Sequence, residues 1–184
     1  DENLEQALEI CAQLQWKGSI GGCQSGVFME YNFGTMRQNA AHRPVVDENY
    51  YHPCDEIPDS FKQACYFELP AWWQLVANPV PEKSADGNTY NVVAELCEDV
   101  EKVAHRRACY LGMGNVIGGK LSYPVEEIKR YCELAPSSTG TSNCILGAAW
   151  LLSHEEAYID TWEGLCSDEV GNAYSACINS RDLL

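Results

Sequence analysis

Three groups of residues in this chain have types and spacings from which chemistry could be built. They are ten cysteines, a run of histidines and carboxylates between His42 and Glu56, and a dense set of aromatics around the same stretch. The cysteines form five pairs, Cys11/Cys23, Cys54/Cys65, Cys97/Cys109, Cys132/Cys144 and Cys166/Cys177, each enclosing ten or eleven residues. Structural zinc and iron–sulfur sites need thiolates a few residues apart, and thiol redox centres need C-x-x-C. Neither spacing occurs. An even count at regular intervals instead reads as a disulfide framework, and its recurrence every 34 to 43 residues reads as a repeat array.

His42 and His52 stand with Asp47, Glu48, Asp55 and Glu56 within fifteen residues, a nitrogen and carboxylate mixture of the kind that binds divalent cations. In so acidic a chain a polar loop is the simpler reading, so no metal ligand and no cofactor is assigned. Tyr50, Tyr51, Trp72 and Trp73 stand near Asp55 and Glu56 at an aromatic density found nowhere else in the sequence. Adjacent tryptophans on a helix point about 100° apart and can hardly enter one core. The aromatics read either as large residues filling a gap between mismatched repeats or, with Asp55 and Glu56, as a contact surface for a peptide, glycan or protein, and these six residues are the candidate binding site. No nucleophile–base pair, G-x-S-x-G, Walker A loop or H-E-x-x-H is present, and no catalytic residue is assigned.

The elements that must position these groups follow from the cysteine spacing. Twelve residues of continuous helix rise about 18 Å, whereas disulfide-bonded Cα atoms lie within about 7 Å. Each pair must enclose a reversal of the chain. Gly18, Gly21 and Gly22, then Pro58-Asp59-Ser60, Pro136 to Gly140, and Gly171-Asn172 supply turn residues in four intervals. The third, Glu98 to Ala108, has neither Gly nor Pro, and as unbroken helix it would forbid local pairing.

Flanking positions repeat as well. Leu4/Ala7, Tyr90/Val93, Val125/Ile128 and Ile159/Trp162 precede the first cysteine by seven and four residues, forming one apolar helix face with it. Three residues after the second cysteine stand Gly26, Gly112, Gly147 and Ser180. A small residue inside a helix there predicts close approach of another helix. The second unit departs from the pattern: Asp47 occupies an apolar position, Pro53 precedes Cys54, Glu68 replaces the small residue, and Pro70 is expected to interrupt the second helix. Departures from a consistent pattern are expected at functional or strained sites.

The fold expected is all-α, an α-solenoid of about five helical hairpins, each stapled by a local disulfide. Its units are 1–33, 47–77, 88–118, 124–153 and 155–184 of a single domain. With 27 Asp and Glu against 12 Lys and Arg, the net charge is −15. That charge repels nucleic acid and anionic membranes at long range. Lys102, His105, Arg106 and Arg107, the one basic cluster, reads as a solvated helix face. The longest apolar run, Cys144 to Leu152, is too short to span a bilayer, so membrane insertion is not expected. Five disulfides belong in an oxidising compartment, so the expected location is extracytoplasmic: periplasmic, secreted or cell-surface. Absence of any Asn-x-Ser/Thr sequon mildly favours a prokaryotic periplasm or surface, and Asp1-Glu2-Asn3 reads as a mature or trimmed start.

C-E-L at Cys132, C-I-L-G at Cys144 and C-Y-L-G at Cys109 resemble the disulfide-bridged Sel1-like repeats of the Helicobacter cysteine-rich proteins, relatives of tetratricopeptide arrays. Those repeats enclose fewer residues between cysteines and carry a glycine-rich turn that this chain lacks. The resemblance implies a secreted or periplasmic interaction scaffold, and the family's cell-wall binding carries over to no residue here. The function expected is binding of a protein or peptide partner, alone or as a subunit of a surface assembly. A small-ligand, glycan or cation-binding protein using the second unit is the alternative, and an enzyme ranks third.

Overall fold

The computed structural model describes residues 2–14, 20–33, 45, 48–76, 88–120, 123–167 and 172–179. Nine α-helices occur among them: α1 (Glu2–Gln13), α2 (Cys23–Phe33), α3 (Asp59–Val76), α4 (Asn88–Glu98), α5 (Val103–Gly118), α6 (Val125–Cys132), α7 (Ser138–Ser153), α8 (Ile159–Cys166) and α9 (Asn172–Ile178). A 3₁₀ turn at Glu156–Tyr158 leads into α8. The fold is all-α, and no helix is long and apolar enough to cross a membrane among the described residues.

All five pairs bridge locally: Cys11 with Cys23, Cys54 with Cys65, Cys97 with Cys109, Cys132 with Cys144 and Cys166 with Cys177. Their Cα–Cα distances lie between 5.4 and 5.6 Å. The third interval closes without Gly or Pro because the helix stops at Glu98. Val100 then tucks into the core, its N–H donating to the Cys97 carbonyl at 3.2 Å. Arg106 braces that turn from α5, its Nε donating to the Val100 carbonyl at 2.9 Å and its Nη1 to Glu98 at 3.1 Å. In the fourth interval Ser137 caps α7, its hydroxyl accepting from Gly140 N–H, as a helix start requires.

Within a unit the two helices pack on each other: α1 on α2, α4 on α5, α6 on α7, α8 on α9. Between units the second helices pack in chain order, α2 on α3, α3 on α5, α5 on α7, α7 on α9. The expected small residues explain how closely they do so. A Cβ on Gly112 would overlap the Phe67 carbonyl, and one on Gly147 would overlap the Leu111 carbonyl. In both cases the backbone two residues after one unit's second cysteine rests on the glycine three residues after the next unit's. Gly114 repeats this within the same pair of helices, lying against the Cys144 carbonyl. Ser180 lies outside the described residues.

The second unit keeps its staple and loses its first helix. Residues 51–56 form consecutive turns in place of a helix, with Cys54 N–H donating to the Tyr51 carbonyl and Ile57 N–H to that of Pro53. Cys65, inside α3, ties those turns to the helix, and both Cys54 and Cys65 are buried. This pair therefore works as an internal brace, and neither of its sulfurs belongs to a contact surface. The His52–Pro53 peptide is cis. Pro70 does not interrupt α3, which runs through it to Val76, with Pro70 itself buried. The positive-φ Gly21 of the first turn faces the Trp150 indole of α7, which packs edge-on against Phe67.

Candidate functional site

The irregular second unit brings some of the expected contact residues together and removes others from the surface. Trp72 and Trp73 are both fully buried, so the expectation of an exposed tryptophan pair is corrected. The 100° between them is accommodated because α3 is covered by α2, by α5 and by the 48–58 segment. Trp73 faces that segment: its Nε1–H donates to the Tyr50 carbonyl at 2.8 Å, and the Tyr51 ring meets it edge-on at 5.6 Å. These tryptophans are core that shapes the site from below. The Cys54–Cys65 bridge fixes the same segment to α3 from within.

Tyr50 and Tyr51 are half-buried above them, and Asp55 and Glu56 are exposed. Asn49 organises the turn, accepting from Tyr51 N–H and donating to Asp55 Oδ2 at 2.7 Å. Lys62 donates to the Asp55 carbonyl at 2.7 Å. His52 is held between two units: the Tyr31 hydroxyl of α2 lies 3.3 Å from its Nε2, and Glu56 Oε2 lies 3.4 Å from its Nδ1. One ligand atom from each of His52, Asp55 and Glu56 can be chosen within 4.8 Å of the others, a spacing at which one cation could be shared. Glu48 is exposed at a positive φ and takes no part in that trio. His42 and Asp47 lie outside the described residues.

Two grooves flank this segment. The first, about 430 Å³, runs between α1 and the turn. Leu4, Leu8, Ile57 and Phe61 form its apolar lining, and Glu5, Glu9, Glu56 and His52 supply its polar groups. The second, about 360 Å³, lies between Tyr51, Asp55, Tyr66 and the 99–105 turn. There His105 is buried, stacked on the Tyr66 ring at 5.4 Å, with its Nε2 3.5 Å from Asp59 Oδ1. Burial pushes the His105 imidazole below its ordinary value, Asp59 opposing the change. The expected solvated basic face is therefore divided: Lys102 and Arg107 are exposed, Arg106 is half-buried and His105 is interior. Lys102 hydrogen-bonds Asp59 at 2.6 Å and holds that carboxyl below the usual range. Burial raises the Tyr51 and Tyr66 hydroxyls to about 12, so both remain protonated donors across the physiological range.

Sequence reasoning found Tyr51, Asp55 and Glu56 at the grooves and missed their opposite walls. Glu5 and Glu9 gave no local signal, because acidic residues on an exposed helix are ordinary. Glu68 did give one, since it replaces the repeat's small residue. Its carboxyl is hydrogen-bonded to Ser25 on α2 and lies between the helices, where burial raises it to about 7. The Glu68 carbonyl accepts from Asn32 Nδ2 at 3.5 Å. Ser25 occupies the place in its unit that Phe67 and Leu111 hold in theirs, so Glu68 and Ser25 meet at the polar counterpart of the glycine contact. No known protein family, curated protein or solved structure matches this chain.

Proposed function

We propose that the protein is an extracytoplasmic binding module of stapled helical hairpins. Its groove between α1 and the second unit takes a peptide segment carrying Lys or Arg beside an apolar side chain. The observation that carries this reading is the composition of that groove: an apolar lining with Glu5, Glu9 and Glu56 as its charged groups, on a chain of net charge −15. An apolar lining gains from burying an aliphatic or aromatic side chain, and polar groups around it fix orientation and specificity. Carboxylates at such a rim select cationic partners and speed their encounter. The disulfide framework supports an oxidising location, which is the space in which such a partner is to be sought.

Isothermal titration with short synthetic peptides tests the reading. A peptide alternating Lys or Arg with Leu or Phe is expected to bind, with affinity falling as salt rises. Its Glu-for-Lys counterpart is expected not to bind. The double variant Glu9→Lys and Glu56→Lys should lower affinity by at least about tenfold, equivalent to about 1.4 kcal/mol, without changing the helical spectrum. Equal binding of both peptides by wild type would end the proposal. A second reading, a divalent cation shared by His52, Asp55 and Glu56, rests on their 4.8 Å clustering. It requires saturable Zn²⁺ or Mn²⁺ binding that His52→Ala abolishes.

A further inference from the structure

The groove between the second and third units is separate from the peptide groove, and its floor holds two buried polar side chains without a partner. Tyr66 on α3 is 7% exposed and His105 on α5 is 5% exposed, and their rings stack on each other. The Tyr66 hydroxyl makes no hydrogen bond among the described residues. His105 makes none either, since Asp59 Oδ1, at 3.5 Å from its Nε2, lies beyond the usual range. Buried polar groups are as a rule hydrogen-bonded. Among the described residues, the partnerless side-chain polar atoms sealed from solvent belong to Gln24, Asn32 and His52. Those of Tyr66 and His105 are therefore open to the groove that both residues line.

What is free in this groove accepts hydrogen bonds. Asp55 reaches it from the second unit, Asp99 and Glu101 from the turn between α4 and α5, all three exposed. Burial first, and then neighbouring carboxylates, disfavour ionisation of the two tyrosines, Asp99 at Tyr51 and both Asp55 and Glu101 at Tyr66. The side chains of Asp99 and Glu101 enter no hydrogen bond or ion pair among the described residues. The donors at the border are already engaged, Lys62 by the Asp55 carbonyl and Lys102 by Asp59. Tyr51 likewise donates its hydroxyl proton to the Leu96 carbonyl. Burial holds the His105 imidazole below its ordinary value and hence neutral, with one nitrogen as an acceptor.

We propose that this groove binds a small linear organic cation, with ammonium or guanidinium groups spaced along a short aliphatic chain. An ammonium carries three donors and a guanidinium five, with no acceptor, which matches carboxylates, a phenol oxygen and an imidazole lone pair. A single metal ion does not fit the same carboxylates. Among the described residues, the one trio of imidazole and carboxylate ligands within 4.8 Å of one another is His52, Asp55 and Glu56. Asp55, Asp99 and Glu101 thus do not converge on a point, whereas charges set apart along a chain can reach each of them. The Tyr51 and Tyr66 rings wall the groove for the methylenes between, and about 360 Å³ is room for such a molecule. The net charge of −15 raises its local concentration.

Isothermal titration of the full chain with putrescine and with agmatine tests this. Binding at one site is expected, with butylamine, which has a single ammonium, at least about tenfold weaker than putrescine. Tyr66→Phe removes a hydroxyl and no charge, so it leaves the general attraction to an acidic chain untouched. It should lower putrescine affinity about tenfold, as loss of a hydrogen bond to a charged group does. Asp99→Asn combined with Glu101→Gln should lower it at least as far. Both variants should keep the wild-type helical spectrum, because the Tyr66 hydroxyl has no partner and the two carboxylates are exposed. Absence of saturable binding by both probes overturns the proposal, as does putrescine binding that survives either variant. Butylamine binding as tightly as putrescine, or Mg²⁺ displacing putrescine at equal concentration, overturns it too, because charge alone would then be recognised.

Discussion

Replacing Glu68 by Gln should remove a pH dependence of stability that the native chain carries between its second helices. Gln keeps the size of the side chain and can still bond Ser25, so the substitution takes away little besides the ionisation. Burial raises the Glu68 carboxyl from an ordinary value near 4.5 to about 7. Below about pH 4.5 both folded and unfolded chains hold the proton, and the group contributes no pH dependence. As pH rises from there to about 7, the unfolded chain ionises first and the folded state loses stability progressively. Above about 7 the loss is complete and constant, about 3 kcal/mol at 1.36 kcal/mol per pH unit. The variant should therefore match wild type near pH 4 and exceed it by about 3 kcal/mol at pH 8.5, or roughly 6–12 °C in melting temperature for a chain of this size. Urea unfolding of both proteins at four pH values, under non-reducing conditions, gives the difference directly, because every other titrating group cancels between them. A gap of the same size at all pH values would refute the reasoning, since it would mean that Glu68 ionises in the fold as readily as in water.

The glycines offer an internally controlled series. Gly112→Ala and Gly147→Ala should each destabilise by about 1–3 kcal/mol by forcing packed backbones apart, while Gly26→Ala, with open space in front of it, should stabilise the chain by up to about 1 kcal/mol through helix propensity. Thermal melts check the change of sign. Trp72→Ala and Trp73→Ala should each cost about 3–5 kcal/mol as fully buried aromatics, with peptide affinity retained per folded molecule when measured by titration. Replacing Cys97 and Cys109 together by Ala should cost about 3 kcal/mol of stability by freeing a twelve-residue loop in the unfolded chain, read as a lower urea midpoint.

What the sequence revealed best was what repeats. The five local pairs, the helices on either side and the glycine contacts at Gly112 and Gly147 all follow from spacing, because a hairpin closed by a disulfide has few geometries. The second unit was legible only as a departure. Its staple, Cys54 to Cys65, obeyed the spacing, and Asp47 and Pro53 signalled that its first helix is disturbed. Sequence could not show consecutive turns replacing that helix. Pro70 and the Trp72-Trp73 pair misled for one shared reason: α3 is enclosed by other elements on several sides, so tertiary packing overrides both a proline's local preference and the rule that one helix face is buried. The groove walls were invisible because Glu5, Glu9 and Phe61 meet only through the packing of separate units.

The bridging pattern joins the first, third, fifth, seventh and ninth cysteines of the chain each to the next one along, Cys11 to Cys23 and so on to Cys166 with Cys177. During synthesis and export, every thiol therefore meets its correct mate before any later cysteine has emerged. An oxidant that simply joins thiols in order of arrival would produce the native set of bonds, and a reshuffling catalyst would have no wrong pairings to correct. Refolding of the whole reduced chain is a different problem, because all ten thiols compete at once. The yield of native protein should then depend on whether oxidation accompanies the chain's emergence or follows it.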